Sequence, residues 1–143
     1  MIILDTDHLT LIQRQSEPAY SMLVRRLHFV APDEIYTTII NVEEQMRGWL
    51  VVLSRSKKIE QEIFAYHQLQ RLFTFFTDTP MLEFDEVAAA RFVSLRRARL
   101  RLGTMDLKIA AITLAHGAIL LSRNLSDFRR IPNLQVEDWT QPQ

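Results

Sequence analysis

The sequence contains no cysteine, which excludes a disulfide framework, a thiolate zinc site, iron–sulfur ligation and a cysteine nucleophile together. Glycine and proline are scarce, three and five in 143 residues, so collagenous, low-complexity and disordered classes are excluded. No run of about 18 uncharged apolar residues is present, the length a membrane-spanning helix needs. The start, Met1-Ile2-Ile3-Leu4-Asp5, lacks a basic stretch followed by an extended apolar one. A soluble cytoplasmic protein without membrane contact is the expectation. Net charge is lacking too. Seventeen Lys and Arg balance seventeen Asp and Glu, so any basic surface for nucleic acid must be local.

What is present is material for a core. Apolar residues make up 48% of the chain, and a chain of this size buries roughly 70% of the surface it exposes when unfolded. One domain spanning residues 1–143 is expected. Ile2, Ile3 and Leu4 read as a short buried strand that breaks into Asp5-Thr6-Asp7. Tyr20, Leu23, Val24 and Leu27 fall at helical spacing, and Ile35 to Thr38 reads as a second strand. A helix beginning between Thr38 and Asn41 carries Val42, Met46, Trp49, Leu50 and Leu53, with Glu44 in its first turn. Apolar residues at 59, 63, 66, 69, 73 and 76 draw one stripe down a long helix. Met81 to Phe84 reads as a third strand. Asp85-Glu86 opens a helix running to Leu102, which Gly103 is expected to end as a left-handed cap. Another helix runs from about Thr104 to His116 and stops at Gly117. Ala118 to Ser122 then reads as a buried strand, Arg123 to Asp127 as a polar turn, and Val136 as the centre of a last short strand. Strands alternating with helices imply a mainly parallel sheet.

In such a sheet ligands bind outside the carboxyl ends of the strands, where the strand order reverses. Asp5, Glu44, Asp106 and the stretch Ser122 to Asn124 are the oxygen-bearing groups expected at that rim. Carboxylates without Cys or paired His favour a hard cation such as Mg²⁺ or Mn²⁺ over zinc. Close carboxylates also raise one another's pKa until a cation neutralises them. Each acid has a plainer use. Asp5 suits a turn or helix cap, Asn41-x-x-Glu44 is a capping-box variant, and Asp106 suits the positive end of a helix dipole.

The run from Gly103-Thr104-Met105-Asp106 through Ser122-Arg123-Asn124 to Asp127-Phe128 resembles the PIN-domain family, specifically the VapC-like toxins of bacterial toxin–antitoxin pairs. Ile3-Leu4-Asp5-Thr6-Asp7 is similar to that family's first motif, and Thr38-x-Ile40-x-x-x-Glu44, with Gly48 four residues on, to its second. These motifs cover nearly the whole chain in the family's order. The resemblance implies an α/β, PIN-like three-layer fold, with a small, mainly parallel central sheet flanked by helices. It implies a metal-dependent endoribonuclease acting as a toxin, hydrolysing RNA phosphodiesters without a covalent intermediate. Asp5, Glu44 and Asp106 would hold Mg²⁺ or Mn²⁺, with Asn124 as a further catalytic residue. Two positions depart from the family's pattern: Asn124 stands where a fourth acid is frequent, and Asp7 where Asn is usual. Asp127 is placed to compensate for Asn124, although the Asp-Phe pair also serves as a structural turn, and Ser122 and Asn124 would orient waters or the scissile phosphate. The partners implied are RNA, a VapB-like antitoxin and a second copy of the chain.

Five arginines and no acid lie between Arg91 and Arg101. Arg96 and Arg97 are candidates for RNA phosphates, against a solvated helix face or the dock of an acidic antitoxin tail. Leu72 to Phe76 reads as core, with some apolar surface there or near Trp49 left for an interface; Trp139 reads as a packing anchor. The four histidines lack mutual metal spacing, and His8, three residues after Asp5, reads as a structural or surface residue near the site. Two further readings stay open: a PIN nuclease without a toxin role, and a non-catalytic module binding nucleic acid or protein.

Overall fold

The structure, a computed structural model, describes residues 1–142. The expected domain therefore ends at Gln143, outside the described residues. Its elements are β1 (Ile2–Leu4), α1 (Thr6–Arg14), α2 (Ala19–Leu27), a 3₁₀ turn (Pro32–Glu34), β2 (Ile35–Thr38), α3 (Ile39–Arg55), α4 (Ile59–Asp78), β3 (Met81–Leu82), α5 (Glu86–Arg97), α6 (Thr104–His116), β4 (Ile119–Leu121), α7 (Leu125–Phe128) and β5 (Gln135–Glu137). The strands form one sheet in the order β3-β2-β1-β4-β5, and every pair is parallel. The order reverses between β1 and β4, so the crevice at their carboxyl ends is where a ligand site belongs.

Alternation along the strands divides the core between two layers of helices. Ile3 and Leu120 enter one cluster with Phe92 of α5, residues of α6 and Phe128 of α7. Ile2, Leu4 and Leu121 point the other way, into a cluster with Leu9, Leu11, Leu23, Val42, Leu72, Phe76 and Trp139. The result is the expected three-layer α/β fold. α6 is the innermost helix: Ile109, Ala110, Ala111 and Ile112 are all fully buried, as a helix that is apolar all round must be.

Several sequence-based expectations need correction. α5 stops at Arg97, not at Leu102, and Gly103 is no left-handed cap. It is extended, φ −63°, and precedes the first turn of α6. The positive φ values fall instead on Arg99 and Arg101. Leu95, Leu100 and Leu102 do pack on the core, but Leu100 and Leu102 do so from a connection that turns the chain between two packed helices. Gly117 is left-handed, φ 58°, as expected. Most of the expected stripe on α4 is not the buried face: Phe76 is buried and Leu69 half-buried, but Ile59, Ile63, Tyr66 and Phe73 are exposed, and the buried line is Ala65, Leu72 and Phe76. α4 packs on α3 along the buried line, leaving the other apolar residues outside. The third strand is shorter than Met81 to Phe84, and the expected polar turn contains the start of α7. Trp139 is an anchor as expected, 8% exposed. Among the described residues no helix is long and apolar enough to cross a membrane.

Candidate active site

Asp5 leaves β1 at the reversal point and caps α1, its Oδ1 accepting from the Thr6 amide at 2.8 Å. Asn41 donates to the same oxygen at 2.9 Å, and the Ser122 hydroxyl donates to Oδ2 at 2.7 Å. The side chain is buried. The cap and the clustered acid are thus one residue in both uses.

Glu44 does not lie in the first turn of α3. Thr38, at the end of β2, is the cap residue, accepting from the Asn41 amide at 3.2 Å. No acid occupies that first turn, so Asn41-x-x-Glu44 is no capping box and the helix dipole does not account for Glu44. Asn41 and Glu44 instead lie one turn apart on the same helix face. The Oε1 atom of Glu44 is buried without a hydrogen-bond partner. Asp106 does occupy the first turn of α6, half-buried.

Electrostatics tie these acids together. Burial, then the charge of Asp7, pushes Asp5 from 3.8 up to about 6. Burial, then Asp5, Asp106, Glu43 and Asp7, pushes Glu44 from 4.5 up to about 7. Asp106 is raised by burial, then by Asp127 and Asp7. Carboxylates from β1's end, α1, α3, α6 and α7 therefore share one field.

The supporting residues also gather at this rim. Asp7 Oδ2 accepts from the Arg123 amide at 2.9 Å and faces Ser122 Oγ at 3.3 Å. Ser122 is fully buried, and its hydroxyl serves Asp5, so it positions a carboxylate and does not reach outward to a phosphate. The Asn124 side-chain amide donates to Asp127 Oδ2 at 3.1 Å, and Arg130 lies 3.7 Å from Asp127 Oδ1. Arg96 and Arg97 are exposed in the last turn of α5, the helix that packs on α6. The Arg96 guanidinium lies 5.1 Å from the Phe92 ring centroid.

Sequence reasoning missed Asn41 as a site residue. It is fully buried, accepts from the Thr38 hydroxyl at 2.6 Å and donates to Asp5 and Thr6. An amide inside Ile39-Ile40-Asn41-Val42, one turn before an acid, was the available signal. Thr37 was missed as well; its hydroxyl donates to the Leu4 carbonyl at 2.8 Å, tying β2 to the end of β1.

Among the described residues, no three acidic, histidine or cysteine side chains are already closed into a metal-ion cage. The residues present nevertheless fit a hard divalent cation. They are all-oxygen donors, one buried carboxylate oxygen is orphaned, and the charges of Asp5 and Asp106 that raise Glu44 are what a bound cation offsets.

The fold and the site together define a three-layer α/β protein with a carboxylate cluster at the switch point of a parallel sheet. Residues 2–134 match the PIN domain, and the chain belongs to the PIN-domain family. It is 32% identical over 91 residues to the ribonuclease VapC2 of Rickettsia felis, an alignment covering 61% of this chain and 63% of VapC2. It is 31% identical over 104 residues to the ribonuclease VapC1 of the same organism, covering 72% of this chain and 75% of VapC1. The crystal structure of VapBC2 from Rickettsia felis, bound to a DNA fragment from its promoter, superposes with a TM-score of 0.72 at 26% identity, covering 97% of this chain and 99% of that one.

Proposed function

We propose that this chain, as one domain of residues 1–143, is a divalent-metal-dependent endoribonuclease and the toxin of a toxin–antitoxin pair. The observation that carries the metal site is the orphaned, buried oxygen of Glu44, beside acids whose charges raise that residue. The likeness to two ribonucleases supports RNA as substrate. The VapBC2 structure supports a VapB-like antitoxin as partner. The exposed apolar side chains of α4 are the surface we assign to protein contacts, including a second copy of the chain. Cellular RNA as the substrate supports the cytoplasm as the site of action.

Asp5, Glu44 and Asp106 would hold Mg²⁺ or Mn²⁺. When bound, the cation supplies acidified water and stabilises charge on the phosphoryl oxygens during in-line displacement. The protein's part is positioning. Asn41 and Ser122 aim the two oxygens of Asp5. Asn124, held by Asp127, offers its side-chain carbonyl oxygen to orient a water. Arg96 and Arg97 offer guanidinium forks to phosphates along the substrate.

The test is incubation of total cellular RNA with purified, antitoxin-free protein, with Mg²⁺ or Mn²⁺ or with chelator. Discrete products that need the cation and vanish in Asp106→Asn are expected. No cleavage with either cation, together with no calorimetric uptake of metal, overturns the proposal in favour of a binding module. Cleavage of DNA in preference to RNA overturns the substrate class. Growth arrest on expression, relieved by the co-encoded antitoxin, is the expected sign of the toxin role.

A further inference from the structure

His8 is fully buried and belongs to none of the roles above. Its ring lies between the acidic rim and the segment that follows β5. On one side Nδ1 is 2.6 Å from Asp7 Oδ1. On the other, Nε2 accepts the backbone N–H of Trp139 at 3.3 Å. A nitrogen that accepts an N–H carries no proton, so the proton of the neutral ring sits on Nδ1 and is donated to Asp7. Asp138 Oδ1 does not compete for Nε2. It lies 3.7 Å away and already accepts from the amide and hydroxyl of Thr140 at 2.9 and 2.6 Å.

We propose that His8 is a positioning residue for the acidic site: its Nδ1–H holds Asp7 against the connection after β4, while its Nε2 anchors the C-terminal segment. Asp7 meets donors on both oxygens, His8 on Oδ1 and the Arg123 amide on Oδ2. An amide side chain at position 7 would turn its own N–H groups against one of these donors. A carboxylate at position 7 and a histidine at position 8 are therefore a matched pair.

The anchored segment is itself tied to the rim. The Ser122 amide donates to the Glu137 carbonyl at 3.0 Å. The Trp139 indole N–H donates to Glu137 Oε2 at 2.6 Å, and the Arg26 guanidinium covers the indole at 4.3 Å. Trp139, His8 and Asp7 are thus hydrogen-bonded in series, and Asp7 holds the amide of Arg123, next in the chain to Ser122, whose hydroxyl aims Asp5. Partners one step removed from a metal-binding carboxylate, as Ser122 is from Asp5, orient it, and their loss costs about 10- to 100-fold in metal affinity or activity; His8 acts through Asp7 and belongs at the lower end of that range.

Two variants separate positioning from packing. In His8→Asn an amide N–H replaces Nδ1 and can still reach Asp7. In His8→Gln an amide oxygen replaces Nε2 and can still accept from Trp139, but the donor to Asp7 is gone. The first measurement is the ¹⁵N spectrum of the wild-type ring, expected to show a protonated Nδ1 and a bare Nε2. The second is Mn²⁺ affinity by calorimetry beside thermal stability. His8→Gln is expected to bind Mn²⁺ about tenfold more weakly, and His8→Asn to stay within about threefold of wild type, whatever the two variants lose in stability. For RNA cleavage, an arm that rests on the proposed nuclease function, the same order is expected in kcat with little change in KM. An Nε2-protonated ring, or affinities that follow stability equally in both variants, would overturn the proposal. If the wild type cleaves no RNA but the ring tautomer and the Mn²⁺ order are as expected, the nuclease function falls and the positioning role stands.

Discussion

Replacing Asp5 with Asn removes a buried carboxylate charge while keeping the shape of the side chain. Asn serves as well as Asp at a helix cap, and its oxygen accepts from Thr6 and Asn41 as Asp5 Oδ1 does. Its amide then faces Ser122, whose hydroxyl must turn to accept, at a cost of about 1 kcal/mol. Against that stands the penalty of ionising Asp5. Its pKa rises from 3.8 to about 6 in the folded protein, so the folded state binds the proton more tightly than the unfolded state. The stability linked to that proton is full below the unfolded value and is lost as pH rises through the folded one. A rise of that size amounts to about 3 kcal/mol at pH 8 and about 1 kcal/mol at pH 4.5. Without metal, Asp5→Asn is therefore expected to be about 2 kcal/mol more stable than wild type at pH 8, and about equal at pH 4.5. Urea denaturation in chelator at the two pH values measures this, with the slope against denaturant unchanged. A cation that binds the folded wild type narrows the gap at pH 8. A variant less stable than wild type at pH 8, or a gap that is the same at both pH values, would refute the reasoning.

The other perturbations are simpler. Arg96→Ala with Arg97→Ala is expected to lower the salt dependence of RNA binding by about one unit of slope for each phosphate no longer neutralised; an unchanged slope removes these residues from the RNA path. Gly117→Ala meets no atom within 4 Å of the added Cβ, but φ is +58°, so a loss of about 1 kcal/mol is expected from backbone strain alone. Denaturation with an unchanged slope checks it, and a neutral substitution would show that the α6 terminus relaxes.

Much of the architecture was legible in the chain. β1 and β4 announced themselves as short apolar runs, and Gly117 as the stop after α6. These are local signals, set within a few residues by side-chain branching and by glycine's tolerance of positive φ. Asp5 was legible as the acid at a strand end. The end of α5 was not, because the spacing of Leu95, Leu100 and Leu102 satisfies a core contact from a loop as readily as from a helix. Nor was the buried line of α4, since Ile63 and Leu72 are equally apolar and only the position of α3 decides which one is covered.

The sequence by itself determined which acids exist, which element ends they lie near, and that their chemistry suits a hard cation. The tertiary structure decided their company. Asp5 meets Ser122 across 117 positions, Asp7 meets Arg123 across 116, and His8 meets Trp139 across 131. No local pattern encodes such pairs. They follow from β1 pairing with β4 between the flanking strands, and that order is settled by the burial of both faces of the sheet at once.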